Sequence, residues 1–171
     1  MADLVVSVPR QELGTRAEAR EKEAERFMKL GADWLFTCDS DQTIPVEAFA
    51  YFMDWANGRI KPEADIYVID APNKGQDDSN VRCHPDGTLA YFTISCCLIS
   101  RKVFEILGKS WFSSEYAFIE DGIKNGKIVW NVQKKYADDN INEDIYFARK
   151  CLEAGLKVVV IPDVKSKHLE I

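Results

Sequence analysis

The sequence lacks most features that would take it out of ordinary globular chemistry. No apolar run approaches the roughly 18 residues that a membrane span requires. The opening "MADLVVSVPRQ" has no basic start, and its apolar run is too short for a secretory leader, so the expected compartment is the cytoplasm. The five cysteines form an odd set with no CxxC spacing, and most sit inside apolar segments. This argues against a disulfide framework or a zinc site and for reduced, buried thiols. Basic residues are dispersed: Lys134-Lys135 and Lys165–Lys167 are too short for a phosphate-binding stripe. With a net charge of −6, the chain should attract neither nucleic acid nor an anionic membrane. Repeats and low-complexity linkers are also missing, so residues 1–171 read as one domain.

What is present is an ordinary soluble composition, 46% hydrophobic and 29% charged. A chain of 171 residues can bury about 70% of its unfolded surface. "LVVSVP" is a short β-like run closed by Pro9. Thr15 opens a capping box with Glu18, and Ala17, Ala24, Phe27 and Met28 line one side of the helix that follows, up to Gly31. The Glu, Arg and Lys of that helix read as a solvated face. "DWLFTC" (33–38) is the continuously apolar kind of strand found inside a parallel sheet. The helix after Pro45 is apolar nearly all round and is expected to be well buried, ending at Gly58. "ADIYVIDAP" (64–72) is a strand, and 73–88 is a long polar loop.

Residues 89–100 form a strand broken near Ser95, followed by the short helix "RKVFEIL" ended by Gly108. Residues 126–136 read as a strand, and "NEDIYFARKCLEAG" as a helix capped by Asn142 with Gly155 beyond its end. "LKVVVIP" (156–162) is the last strand. Strands alternating with helices indicate an α/β layered domain with a mainly parallel central sheet.

Four acidic pairs and two histidines can carry chemistry. Asp39 and Asp41 follow an apolar strand, where open α/β sheets bind ligands. Two carboxylates there can hold Mg²⁺ or Mn²⁺, or form a solvated turn before a helix, and the spacing alone favours the turn. Glu143 and Asp144 open a helix, either as complements of its dipole or as a general base. Alone, the dipole role is favoured. His168 stands just beyond the last strand, either as a surface residue or as a further metal ligand, and His84 has the weaker claim. Glu120-Asp121 reads as a turn before the next strand and Asp138-Asp139 as exposed.

Together these pieces resemble the GT-A glycosyltransferase fold, closest to the inverting family 2 type. "GADWLFTCDSDQTIP" is similar to that family's apolar strand ending in a D-x-D motif. "ISCCLISRKVFEILG" resembles its acceptor-side strand and short helix. "NEDIYFARKCLEAGLKVVVIPDVKSKH" matches its late pattern of acidic pair, helix, Gly, strand, Pro and His. The resemblance implies a three-layer nucleotide-diphospho-sugar transferase-like domain. Asp41, Asp39 and His168 would hold Mn²⁺ or Mg²⁺ and the donor diphosphate. Asp144 would be the catalytic base and Glu143 would orient the acceptor. The partners implied are a nucleoside-diphosphate sugar and a hydroxyl acceptor. Acceptor contacts are expected from 73–88 and from 109–140, with Trp111, Phe112, Tyr116 and Trp130.

The family's opening strand–helix–strand unit has no counterpart in the 14 residues before Thr15, so the domain reads as N-terminally shortened. The sheet edge this leaves could pair with a second copy in a homodimer. The alternative is a catalytically silent relative that binds a sugar nucleotide or glycan. A nucleotidyltransferase would need a Gly-rich basic signature after the first strand, which "VPRQELGTR" matches poorly.

Overall fold

The computed structural model describes residues 4–7, 14–61, 63–70, 79–134, 142–165 and 167–168, with the backbone alone for 4–7, 142, 162–165 and 167–168. The elements begin β1 (Leu4–Ser7), α1 (Arg16–Leu30), β2 (Trp34–Cys38), β3 (Gln42–Thr43), α2 (Val46–Ala56) and β4 (Ile66–Asp70). Next come β5 (Val81–Cys83), β6 (Leu89–Phe92), β7 (Cys96–Ser100), α3 (Arg101–Leu107), β8 (Tyr116–Lys124) and β9 (Lys127–Lys134). The chain continues through α4 (Asn142–Glu153), β10 (Val158–Lys165) and β11 (Lys167–His168). Among the described residues no helix is long and apolar enough to cross a membrane.

The main sheet has the order β1-β2-β7-β4-β10. β1 is parallel to β2 and β10 to β4, while β7 runs antiparallel to both of its neighbours. The sheet is therefore mixed and only partly parallel, not mainly parallel as the sequence suggested, because the chain turns back through β6 and the Ser95 bend rather than through a crossover helix. Alternation sorts the strand side chains onto two faces. Leu35, Ile66, Val68, Cys97 and Ile99 pack with Phe27 of α1, Phe104 of α3 and Phe147 of α4. Phe36, Tyr67, Ile69 and Leu98 pack on the other face with Ala48, Phe52 and Ala56 of α2.

The sequence signals for α1 hold in detail. Thr15 and Glu18 form the reciprocal capping box, and Gly31 takes the left-handed conformation at φ 73° that ends the helix. The break near Ser95 is also present, separating β6 from β7. Pro162, which cannot donate to a ladder, lies where the β10–β4 register shifts, between Val160 and Lys165.

Three expectations fail. α2 is amphipathic rather than enclosed: Ala48, Phe52 and Ala56 face the sheet, whereas Val46 is 79% and Tyr51 50% exposed. One sheet face covers only one stripe of a helix, whatever the composition of its other side. The polar 73–88 stretch is not wholly a loop, since β5 pairs antiparallel with β6; residues 71–78 lie outside the described residues. Glu120-Asp121-Gly122 is not a turn but lies in β8, at the register shift between Glu120 and Ile123. The reversal into β9 comes instead at Asn125-Gly126, both at positive φ (51° and 73°) as a two-residue hairpin turn requires. Asp138-Asp139 is outside the described residues.

Candidate functional site

The site is built at the end of β2. Beyond Cys38 the chain turns through Asp39, Ser40 and Asp41 into β3, and the Asp39 N–H donates to the Ser95 carbonyl at 2.8 Å. That bond ties the D-x-D turn to the bend before β7. Thr37, buried in β2, donates its hydroxyl to the Ile94 carbonyl at 2.7 Å, and the Ile94 N–H donates to Asp144 Oδ2 at 3.4 Å. The bend at 94–95 thus links the D-x-D turn on one side to the first turn of α4 on the other.

Asp39 is not a solvated turn residue. Arg20 of α1 reaches it with Nη2 2.6 Å from Asp39 Oδ1. Arg20 is 7% exposed and lies in the same helical register as Ala17, Ala24 and Phe27. Burial alone would lower its pKa, but the charges of Asp144, Asp39 and Glu23 outweigh that and raise it. The reading of the charged residues of α1 as a solvated face therefore fails at Arg20. It also fails at Glu21, whose carboxylate accepts the backbone N–H groups of Ser110, Trp111 and Phe112 at 2.9, 3.3 and 3.0 Å. The signal was legible as spacing: positions 17, 20, 24 and 27 form one stripe, and only the charge of Arg20 argued against burying it.

Glu143 and Asp144 lie in the first turn of α4, where carboxylates complement the helix dipole, and they are buried there at 4% and 5% exposure. Burial pushes the Asp144 carboxyl up to about 7, helped by Glu143 and Asp39 and opposed by Arg20 and the Ile94 N–H. Burial also raises Glu143, against its own backbone N–H and the charges of Arg16 and Arg20. Asp144 Oδ1 and Arg20 Nη1 are both buried without a hydrogen-bond partner. The Arg20 guanidinium thus lies among the carboxyls of Glu23, Asp39, Glu143 and Asp144, with Arg16 adding positive charge towards Glu143.

Asp41 is half-buried and precedes β3. β3 pairs antiparallel with β11, which sets the His168 backbone opposite Gln42, one residue from Asp41. The side chain of His168 lies outside the described residues. Among the described residues no three His, Cys, Asp or Glu side chains converge as a metal cluster. Asp39 and Asp41 put two hard oxygen donors on one turn. Asp39 has one of its oxygens held by Arg20.

The other candidates separate. His84 accepts the Ile128 N–H on Nδ1 at 2.9 Å and so joins the β5–β6 hairpin to β9. Trp111 and Phe112 are core: the Trp111 indole N–H donates to the Phe104 carbonyl at 2.9 Å, and Phe112 stacks on Phe147 with ring centres 4.8 Å apart. They are closed to an acceptor because α1, α3 and α4 meet over them. Tyr116 stacks on Tyr146 at 5.7 Å. Trp130 lines a cavity of about 490 Å³ with His84, Thr88, Lys127 and Arg149, beside the later turns of α4. The thiols are all free, but Cys83 is exposed and Cys38 half-buried, so burial holds only for Cys96, Cys97 and Cys151.

Comparison with protein-family models gives no match, and no curated protein matches the sequence. Among solved structures the chain is similar to the crystal structure of A197 from STIV. The TM-score is 0.57 at 14% identity, over 95% of this chain and 70% of that one. At that identity the likeness is one of fold, and it places the chain among mixed α/β proteins.

Proposed function

We propose that the chain is a metal-dependent glycosyltransferase domain of the GT-A type, moving a sugar from a nucleoside diphosphate to an acceptor hydroxyl with inversion. One observation carries this reading. The D-x-D turn, the first turn of α4 and the strand containing His168 come from distant parts of the sequence and meet at one end of the sheet. The helices on both sheet faces and the reversed β7 fit a three-layer domain of that kind.

Asp41, with Asp39 and His168, would hold Mn²⁺ or Mg²⁺. When bound, the ion supplies positive charge against the departing diphosphate. Asp144 takes the proton of the acceptor hydroxyl as the oxygen forms its bond to the anomeric carbon and the bond to the diphosphate oxygen breaks. A carboxyl whose pKa is pushed up to about 7 is a far better proton acceptor than an ordinary aspartate, and it is still ionised in part at neutral pH. Glu143 adds negative charge beside it. Arg20 fixes Asp39 and keeps a counter-charge near Asp144.

A second reading, a silent relative that binds a sugar nucleotide or glycan, is favoured by the enclosure of Asp144 at 5% exposure. In this arrangement an acceptor hydroxyl has little access to its carboxylate. Calorimetric titration of UDP and GDP, with and without Mn²⁺, tests the donor site common to both. Metal-dependent binding that is lost in Asp41→Ala supports the assigned turn. Absence of binding by the folded protein removes the transferase reading and leaves glycan binding by a silent relative in its place.

A further inference from the structure

The strands that carry the site also hold two cysteines face to face. Cys38 ends β2, Cys96 begins β7, and the two are register partners. The pair next to them, Asp39 and Ser95, is joined by the Asp39 N–H to Ser95 carbonyl bond. Antiparallel pairs alternate, so Cys38 and Cys96 form a non-hydrogen-bonded pair, with Cα atoms about 4.5 Å apart and side chains at their closest. A disulfide spans Cα separations of about 4.4–6.8 Å. Both side chains are on the α2 face. Cys38 is half-buried and Cys96 fully enclosed, so one is reachable and the other waits behind it.

We propose that Cys38 and Cys96 close into a reversible cross-strand disulfide that resets the turn carrying Asp39 and Asp41. The oxidant is hydrogen peroxide. The Cys38 sulfur attacks the peroxide: an S–O bond forms, the O–O bond breaks, and one oxygen leaves as water, giving a sulfenic acid. The Cys96 sulfur then attacks the Cys38 sulfur: the S–S bond forms, the S–O bond breaks, and the hydroxyl leaves as water with the Cys96 proton. Two thiols lose two electrons and one peroxide becomes two waters. The neighbouring Cys97 does not compete for this pairing. Cys97 faces the opposite side of the sheet, and its thiol donates to the Thr93 carbonyl.

The link to the site is direct. The Cys38 thiol now donates to the Asp39 carbonyl at 3.5 Å and, more weakly, faces the Gln42 carbonyl at 3.9 Å. These carbonyls bracket Asp41 and lead into β3, the partner of β11. Closure removes that donor and fixes the sulfur to β7, so the turn loses an anchor on its inner side. A disulfide between directly paired strands is strained, and strained disulfides are readily reduced, which makes the change reversible. An effect on donor binding rests on the functional reading above. Closure itself does not.

The experiment treats the full chain with hydrogen peroxide and counts thiols after denaturation. The count should fall from five to three and return to five with dithiothreitol. Peptide mapping should find Cys38 joined to Cys96, in the wild type and in Cys83→Ser, which lacks the exposed competitor. Cys38→Ser should abolish the crosslink. Amide exchange at 39–43 should be faster in the oxidised form, and metal-dependent UDP binding should be weakened. Oxidation that stops at Cys38 without a crosslink, or that joins only Cys83 between molecules, overturns the proposal. A crosslink that leaves exchange at 39–43 unchanged overturns the claim on the turn. If the reduced protein binds no nucleotide, the functional reading fails, while mapping and exchange still decide the disulfide.

Discussion

Arg20 Nη2 lies 2.6 Å from Asp39 Oδ1, and this ion pair joins the helix before β2 to the turn after it. The Arg20 side chain is 8% and the Asp39 side chain 29% exposed, and the same guanidinium lies 3.8 Å from Glu23, whose side chain is 16% exposed. Asp144 is the strongest favourable charge on the same guanidinium, although the two make no direct contact. Arg20 therefore holds together a cluster whose other members repel one another.

Removing that charge should be costly. Arg20→Met leaves Asp39, Glu143 and Asp144 without their shared counter-charge, and breaking a largely buried pair costs about 3 kcal/mol. Urea unfolding of the variant should show this loss, with Arg20→Lys intermediate because its single ammonium cannot reproduce the guanidinium fork. A change below about 0.5 kcal/mol, the ordinary size for an exposed pair, would contradict the enclosed ion pair.

Stability should depend on pH through Asp144. Its folded pKa, about 7, lies above the ordinary aspartate value of 3.8. Between those values the folded chain keeps a proton that the unfolded chain releases, so stability falls as pH rises through the window. The stabilising contribution is complete below the unfolded value and lost above the folded one. Asp144→Asn should flatten this slope and be more stable than the wild type above neutrality, while Glu143, also raised, leaves a smaller slope of the same sign. Urea midpoints below, within and above the window check it, and an unchanged slope would show that Asp144 ionises normally.

The helix that delivers Arg20 depends on its cap. Thr15→Ala removes the hydroxyl that accepts the Glu18 N–H at 3.2 Å and should cost about 1 kcal/mol. Amide exchange in the first turn of α1 should quicken with it. The variant should leave β8 and β9 untouched, since they form a separate two-stranded sheet.

Local chemistry was legible in the sequence where one short-range rule decided the outcome. The Thr15–Glu18 box, the stop at Gly31 and the bend near Ser95 are all of this kind. The β3–β11 pairing sets the His168 backbone opposite Gln42, the residue after Asp41, which no local signal in the sequence announces. Tertiary context was not legible. Arg20 looked like one of many surface charges until α1 was laid on the sheet, and Val46 and Tyr51 looked like core until α2 was seen to offer only one stripe. β8 was missed because its charged Glu120-Asp121-Gly122 reads as a turn, although the ladder passes over it with a register shift. Trp111 and Phe112 resembled an aromatic binding wall, and only the meeting of three helices makes them core.

The measurement that tests the central claim most directly is turnover with Asp144 in place and removed. The folded chain, with Mn²⁺ and a panel of UDP- and GDP-sugars, is assayed for release of the nucleoside diphosphate in the presence of hydroxyl acceptors. The account predicts release by the wild type and a fall of about 10²–10⁴-fold in Asp144→Asn, the usual contribution of a general base. Nucleotide binding should be retained in that variant. Equal release by the wild type and Asp144→Asn would contradict the assignment of Asp144. Binding without release by either would leave the silent, sugar-nucleotide-binding reading in its place.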